Sequence, residues 1–253
     1  MHFEEFAFGN SAVHTADPRV KLVAAVAFSV VVAVSDAYRA LVPALFVACG
    51  LVLLARLDLR TLGRRLAVVN GFVVLLWLIL PFTFPGKAFF SLGPLTASRE
   101  GVAYSLTITL RTNAIVLTTI ALVGTTSIFN LVHALRHVRV PEKLVHIFFF
   151  CYRYIAVIHL EYLRLRNAMR VRCFHPKTSL HTYRSYAYLV GMLLIKSYER
   201  SHRIYQAMLC RGFKGQYPTF HHFRMRRRDL GYLGLMAVVI VLLAALQLLG
   251  ARG

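Results

Sequence analysis

The sequence predicts an all-α integral membrane protein, with about five to six transmembrane helices and long charged helices in its second half. Three observations carry this. The 253-residue chain is 58% hydrophobic. Its apolar residues lie in blocks nearly free of charge, at 24–34, 41–55, 66–81, 115–123 and 230–249. Its net charge of +20 is concentrated in one stretch rather than spread over a surface. Each block, alone or with its flanks, approaches the ~20 residues a helix needs to cross a hydrocarbon core. Block 115–123 does so by extending back to residue 103, which takes in Arg111.

The charge orients the chain. Of the 30 Lys and Arg residues, 19 lie between positions 124 and 228, against only Glu142, Glu161 and Glu199. The loop around Arg56, Arg60, Arg64 and Arg65 is also basic, whereas the turn at Asp36 and the loop near 86–93 are not. Lys and Arg accumulate on the cytoplasmic side of membranes. The expected path therefore has a cytoplasmic N-terminus, an external turn at Asp36, a cytoplasmic loop at Arg60, an external loop near 86–93 and a return at 124. This divides the chain into N-terminal transmembrane helices (1–123), a cytoplasmic and interfacial helical region (124–228) and a C-terminal transmembrane helix (229–253). The setting is the cell (inner, cytoplasmic) membrane, crossed several times. No cleavable signal peptide is apparent, since the first 20 residues carry Glu4, Glu5 and Asp17 and lack an apolar centre. Because the basic region abuts membrane helices, anionic lipid accounts for its charge and nucleic acid is not an expected partner.

Within the basic region, Ser127 is an expected N-cap for a short amphipathic helix to His137, with Ile128, Leu131, Val132 and Leu135 on one face. Pro141 opens a helix whose first part is apolar and whose second part is charged, stopped by His175-Pro176. The pattern repeats from Tyr183: apolar from Tyr186 to Ile195, charged from Lys196, with Glu199 placed to pair with Arg203 and Gly212 as the stop. Both helices close alike, as Val171-Arg172-Cys173-Phe174 and Cys210-Arg211-Gly212-Phe213. A small residue beside an arginine lets another backbone approach while the guanidinium enters a pocket, where its fork of donors suits carboxylates and carbonyls. The pattern reads as helix-in-groove recognition with an arginine anchor.

Three stretches resemble one family. "SAVHTADPRVKL" at 11–22 is similar to an N-terminal H-x-x-D-P-R-x-K signature, with Asp17 expected to cap the first membrane helix, Pro18 in its first turn, and Arg19 and Lys21 at the cytoplasmic headgroups. "YRYIAVIHLEYLRLRNAMRVRCF" at 152–174 and "SYERSHRIYQAMLCRGF" at 197–213 resemble paired coupling helices that end in Ala-Arg-Gly-type tips. The chain is thereby identified as resembling the transmembrane (T) component of energy-coupling factor (ECF) transporters, in the CbiQ-like cobalt/nickel branch. It departs from the family pattern at Val171, Cys173 and Cys210, where Ala and Gly are favoured.

The resemblance implies an importer. Two cytoplasmic ABC-type ATPases each receive one tip (Val171, Arg172, Cys173; Cys210, Arg211, Gly212), bind ATP-Mg and supply energy. A separate substrate-binding membrane subunit supplies specificity, for cobalt or nickel ions. The chain itself is expected to be neither an enzyme nor the holder of a cofactor or metal. It has no Walker A motif, and its four cysteines show no metal-type spacing. His133 and His137 are four apart in a basic neighbourhood that disfavours a cation. Arg111 leaves one alternative, a stand-alone ion carrier or channel, because charges inside a membrane often mark a pathway. With Thr107, Thr109, Thr112 and Asn113 around it, a structural bond serves equally well. A membrane enzyme is disfavoured by the shortage of acids. Counting five crossings from the apolar blocks puts Gly253 outside, so a cysteine introduced at Ala251 is expected to label from the external face of intact cells.

Overall fold

The computed structural model describes residues 9, 11–83, 88–92, 95–138, 140–214 and 227–250. Its elements are helices α1 (Ala12–Thr15), α2 (Pro18–Val34), α3 (Tyr38–Ala55) and α4 (Leu59–Thr83), strands β1 (Ala88–Leu92) and β2 (Leu95–Ser98), then helices α5 (Arg99–Leu122), α6 (Ile128–His137), α7 (Glu142–Val171), α8 (Leu180–Cys210) and α9 (Arg227–Gly250). The expected helical class holds. The two strands form only a short antiparallel hairpin ahead of α5, pairing Leu92 with Leu95 and Ser91 with Thr96. Two compact units result, one from His2–Val140 with Arg224–Gly253 and one from Pro141–Phe223.

The larger unit is organised on α5, which packs along α2, α3 and α4, while α9 lies against α2 and α3. Between apolar helices in a bilayer, burial of apolar area drives little, and small residues that let backbones approach matter more. The α3–α5 seam, the most extensive in the unit, has this composition. Ala40, Ala44 and Ala48 form a four-residue-spaced ridge at 0–1% exposure, facing fully buried Ala114 and Ala121. Phe28 and Val32 of α2 and Leu243 of α9 fill the space around one end of that seam. Gly101 is needed for a close approach, since a Cβ there would sit 2.8 Å from the Leu80 carbonyl at the end of α4.

Among the described residues, five helices have the length and apolarity to cross a membrane: α3, α4, α5, α7 and the Asp229–Leu248 part of α9. The number matches the sequence expectation, but the membership differs. Block 24–34 lies in α2, which at 17 residues covers ~26 Å, the short end of the spanning range. The charged helix α7 has instead an apolar part long enough to cross. Position 251, where labelling would test the five-crossing expectation, lies outside the described residues. The outward faces of α4 are apolar and exposed at Val68, Phe72, Val74 and Leu78, as befits helices solvated by lipid.

In hydrocarbon, polar groups must be satisfied within the protein. The α2–α3 turn shows how. Arg111 of α5 donates to the Ser35 carbonyl at 2.8 Å and to the Asp36 carboxylate at 2.6 Å, while the Ala37 N–H donates to Gln247 of α9 at 3.2 Å. Tyr38 donates its hydroxyl to the Ala103 carbonyl at 2.7 Å. Further along α5, Asn113 and Asn70 of α4 exchange amide hydrogen bonds at 3.0 and 3.2 Å, and the Trp77 indole N–H donates to Thr109. Arg111 is therefore a tie between α5 and a turn, the structural alternative left open by the sequence. Arg111→Ala removes a charge-assisted bond to a backbone carbonyl and is expected to cost ~1–3 kcal/mol. Asp36→Ala, at a carboxylate 78% exposed, is expected to cost ~0–1 kcal/mol. Thermal unfolding of the detergent-solubilised chain checks both.

Candidate functional site

The two arginine tips share one backbone design. At the end of α7, Arg172 is the C-cap residue, Cys173 takes a left-handed conformation (φ 60°), and the chain turns back on itself. The Phe174 N–H donates to the Met169 carbonyl at 3.1 Å, and the Cys173 N–H to the Arg170 carbonyl at 2.9 Å. At the end of α8, Arg211 is the C-cap and Gly212 is left-handed (φ 76°). Phe213 donates to the Met208 carbonyl at 3.1 Å and Gly212 to that of Leu209 at 2.9 Å. These are two Schellman caps with the same residue roles: Met, basic or apolar, apolar or Cys, Arg, left-handed residue, Phe. The cap fixes the backbone around each arginine, satisfies the terminal carbonyls and half-buries the phenylalanine. Val171, Arg172, Cys173, Cys210, Arg211 and Gly212 stay exposed.

The cap also explains why glycine suits the position after each arginine. A left-handed conformation costs an L-residue ~1–2 kcal/mol because Cβ crowds the following carbonyl, and glycine escapes this. Gly212 meets the requirement and Cys173 does not. A side chain at 212 would meet nothing within 4 Å, so any penalty there is one of backbone conformation alone.

Within the smaller unit, α7 and α8 are held by an ionic crossing. Glu161, 9% exposed, accepts from Lys196 at 2.5 Å and Arg164 at 3.4 Å, with Arg200 at 3.8 Å. The elbow between the helices is pinned separately. Ser179 caps α8 by accepting from the Thr182 N–H, the Lys177 N–H donates to Thr182 at 3.2 Å, and Phe174 stacks edge-on against Tyr186 at 5.8 Å. The α8 helix thus starts at Leu180, ahead of the apolar stretch that signalled it in the sequence. The anticipated Glu199–Arg203 pair forms at 3.9 Å on the surface.

The N-terminal signature folds into a clamp. Asp17 caps α2 by accepting from the Arg19 N–H at 2.9 Å, with Pro18 in the first turn, as its residues imply. Lys21 departs from expectation: it is not at the headgroups but buried, at 1% exposure. Its Nζ lies 3.3 Å from the Thr126 hydroxyl and 3.5 Å from the Thr125 hydroxyl and the His14 carbonyl. The Asp17 and Asp229 carboxylates are near enough to act on its charge, and Asp229 accepts from the Asp17 N–H at 3.2 Å. A buried ammonium is tolerable only with such partners. The signature therefore joins the start of α2 to the α5–α6 turn and the start of α9. Thr125, Thr126 and Asp229 belong to this clamp, and sequence reading did not single them out for it.

Several helices long and apolar enough to cross a membrane, with a charged helical pair beside them in the sequence, define a multi-pass membrane protein. The model of the cobalt transport protein family CbiQ matches residues 9–221, so the chain belongs to that family. The energy-coupling factor transporter transmembrane protein EcfT of Thermosediminibacter oceani is 27% identical over 246 residues, covering 91% of this chain and 92% of its own. The nickel permease LarQ of Lactiplantibacillus plantarum is 31% identical over 117 residues, 46% of this chain and 41% of its own. The cobalt transport protein CbiQ of Rhodobacter capsulatus is 27% identical over 117 residues, 46% of this chain and 48% of its own. The chain is thus a membrane transport component of the cobalt/ECF type.

The paired caps make opposite predictions. Cys173→Gly relieves the left-handed strain and is expected to stabilise the α7 end by ~1 kcal/mol, and Gly212→Ala to destabilise the α8 end by a similar amount. Hydrogen exchange at the Phe174 and Phe213 amides reads each cap directly. For the clamp, Lys21→Met removes the ammonium's bonds to Thr126, Thr125 and the His14 carbonyl and is expected to cost ~1–3 kcal/mol. Thermal unfolding in detergent checks it.

Proposed function

We propose that this chain is the energy-coupling T subunit of an ECF-type importer. It links ATP hydrolysis by two cytoplasmic ABC-type ATPases to uptake by a separate substrate-binding membrane subunit. The observation that carries this is the duplicated tip: two long helices end in the same cap, each fixing the backbone around one exposed arginine that, among the described residues, pairs with no acid. One arginine enters each ATPase. ATP and Mg are held there, and the metal site belongs to the substrate-binding subunit. This chain binds neither nucleotide nor metal. The names of the family and its relatives favour cobalt or nickel as the transported ion.

The N-terminus is cytoplasmic in this reading, and α7 lies along the inner face rather than across the membrane. Its apolar part is long enough to cross. Crossing there, however, would carry Arg172, Lys177 and Arg184 to the external side, against the tendency of basic residues to stay inside. Native thiols test the orientation. With Cys49, Cys151 and Cys210 replaced by Ala, Cys173 is expected to resist a membrane-impermeant maleimide in intact cells and to react in inside-out vesicles. Reaction from outside would contradict it.

Docking is tested on the arginines. Removing one partner of a desolvated, hydrogen-bonded charge pair costs ~2–5 kcal/mol, whereas a rim charge costs far less. Arg172→Ala or Arg211→Ala is expected to weaken ATPase co-purification and metal uptake, and the double substitution nearly to abolish both. Lys should rescue poorly, because it keeps the charge without the planar fork. Arg153→Ala and Arg203→Ala, at exposed side chains on the same two helices and outside the Glu161 crossing, are the controls. Equal loss in the controls would mean that general electrostatics holds the partners.

A further inference from the structure

The elbow between α7 and α8 encloses a cavity of about 380 Å³, within the size range of small-ligand sites. Its lining is of two kinds. Arg166 and Arg170, one helical turn apart on α7, and His175 in the loop beyond are polar. Met169, Phe174, Pro176 and Tyr186 are apolar or aromatic. Among the described residues, no carboxylate pairs with Arg166 or Arg170; Glu161 is taken by Arg164, Lys196 and Arg200. The Arg166 Nε is buried with no hydrogen-bond partner, although its guanidinium is held 5.6 Å from the Tyr162 ring. Burying a donor without an acceptor is costly, so such a group signals a missing partner.

The walls are set in advance. Phe174 stacks on Tyr186, Ser179 and Thr182 fix the start of α8, and the His175 Nδ1–H donates to the Cys173 carbonyl at 2.9 Å. With Nδ1 so engaged, Nε2 is the His175 ring nitrogen left for a ligand. The two guanidiniums offer a fork of charge-assisted donors to a tetrahedral oxyanion, the recognition at which arginine excels. The apolar wall has no use for a bare inorganic ion but suits the carbon skeleton of an ester.

We propose that this elbow pocket binds a phosphate ester, with the phosphate on Arg166, Arg170 and His175 and its apolar portion against Met169, Phe174 and Tyr186. Anionic phospholipid, close at hand for a membrane protein, and a soluble phosphate are the two sources of that chemistry. Because Met169 and Phe174 also close the α7 cap, an occupied pocket stiffens the backbone around Arg172. The site is testable without the ATPases.

The test uses the detergent-purified full chain, titrated by native mass spectrometry with short-chain phosphatidylglycerol, short-chain phosphatidylcholine and inorganic phosphate. Phosphatidylglycerol is expected to bind, and the Arg166→Gln/Arg170→Gln double variant to bind it about tenfold more weakly. Met169→Trp, which fills the cavity and keeps every charge, is expected to lose binding as well. Arg153→Gln/Arg203→Gln, which removes the same charge away from both the pocket and the Glu161 crossing, should leave it unchanged. Competition by inorganic phosphate at equal concentration would support the site with a soluble source, and indifference to it would support the lipid. Equal weakening in both double variants would overturn the proposal, as would failure of the wild-type chain to hold either probe. So would binding of phosphatidylcholine as tight as that of phosphatidylglycerol.

Discussion

Glu161 is the residue on which the arrangement of the two tips rests. In a region with 19 basic residues and three acids, it is the acid placed between the two long helices, and it gathers Lys196, Arg164 and Arg200 around one carboxylate. Without it, three cations would face one another where α7 and α8 meet. With it, like charge becomes the means of crossing two helices at a defined point, 11 residues before Arg172 and 15 before Arg211 by the numbering. At 1.5 Å per residue these are lever arms of ~16 and ~22 Å. The crossing thereby sets where each arginine stands relative to the other.

The membrane unit solves a different problem with the same economy. Its helices gain little from burying apolar surface in lipid, so contact is made by alanine ridges and by polar ties at their ends. Arg111 and Gln247 satisfy the α2–α3 turn, Asn70 and Asn113 join α4 to α5, and Lys21 gathers the opposite ends of α2, α5 and α9. An intramembrane charge here is a tie rather than a passage. That weakens the main argument for a stand-alone carrier, which depended on Arg111 being otherwise unexplained.

What was legible in the sequence was whatever depends on near neighbours. The caps at Asp17-Pro18, Ser127 and Gly212 follow from the chemistry of one residue and its next turn, and each appears where its residues imply. The duplicated tip was visible as a repeated tetrapeptide, although the sequence could not show that both copies adopt the same cap. Contacts between distant segments were not legible. The burial of Lys21 depends on Thr125, Thr126 and Asp229, over a hundred residues away, so a lysine near a membrane-helix start read as a headgroup anchor. The Ala40–Ala44–Ala48 spacing was present in the sequence, but a stripe of alanines in an apolar block becomes a seam only once its partner helix is known. The elbow pocket needed the turn between α7 and α8 to bring Arg166 beside Tyr186.

The central claim is that the two tips touch the ATPases, and the chain carries its own probes for it. Cys173 and Cys210 are free, exposed and adjacent to Arg172 and Arg211, while Cys49 and Cys151 are free and exposed elsewhere. Four variants, each keeping one native cysteine, can be loaded with a short thiol-linked photocrosslinker in membranes containing the assembled transporter. The account predicts ATPase adducts from Cys173 and from Cys210, and none above background from Cys49 or Cys151. Adducts from Cys49 or Cys151 with none from the tips would contradict it.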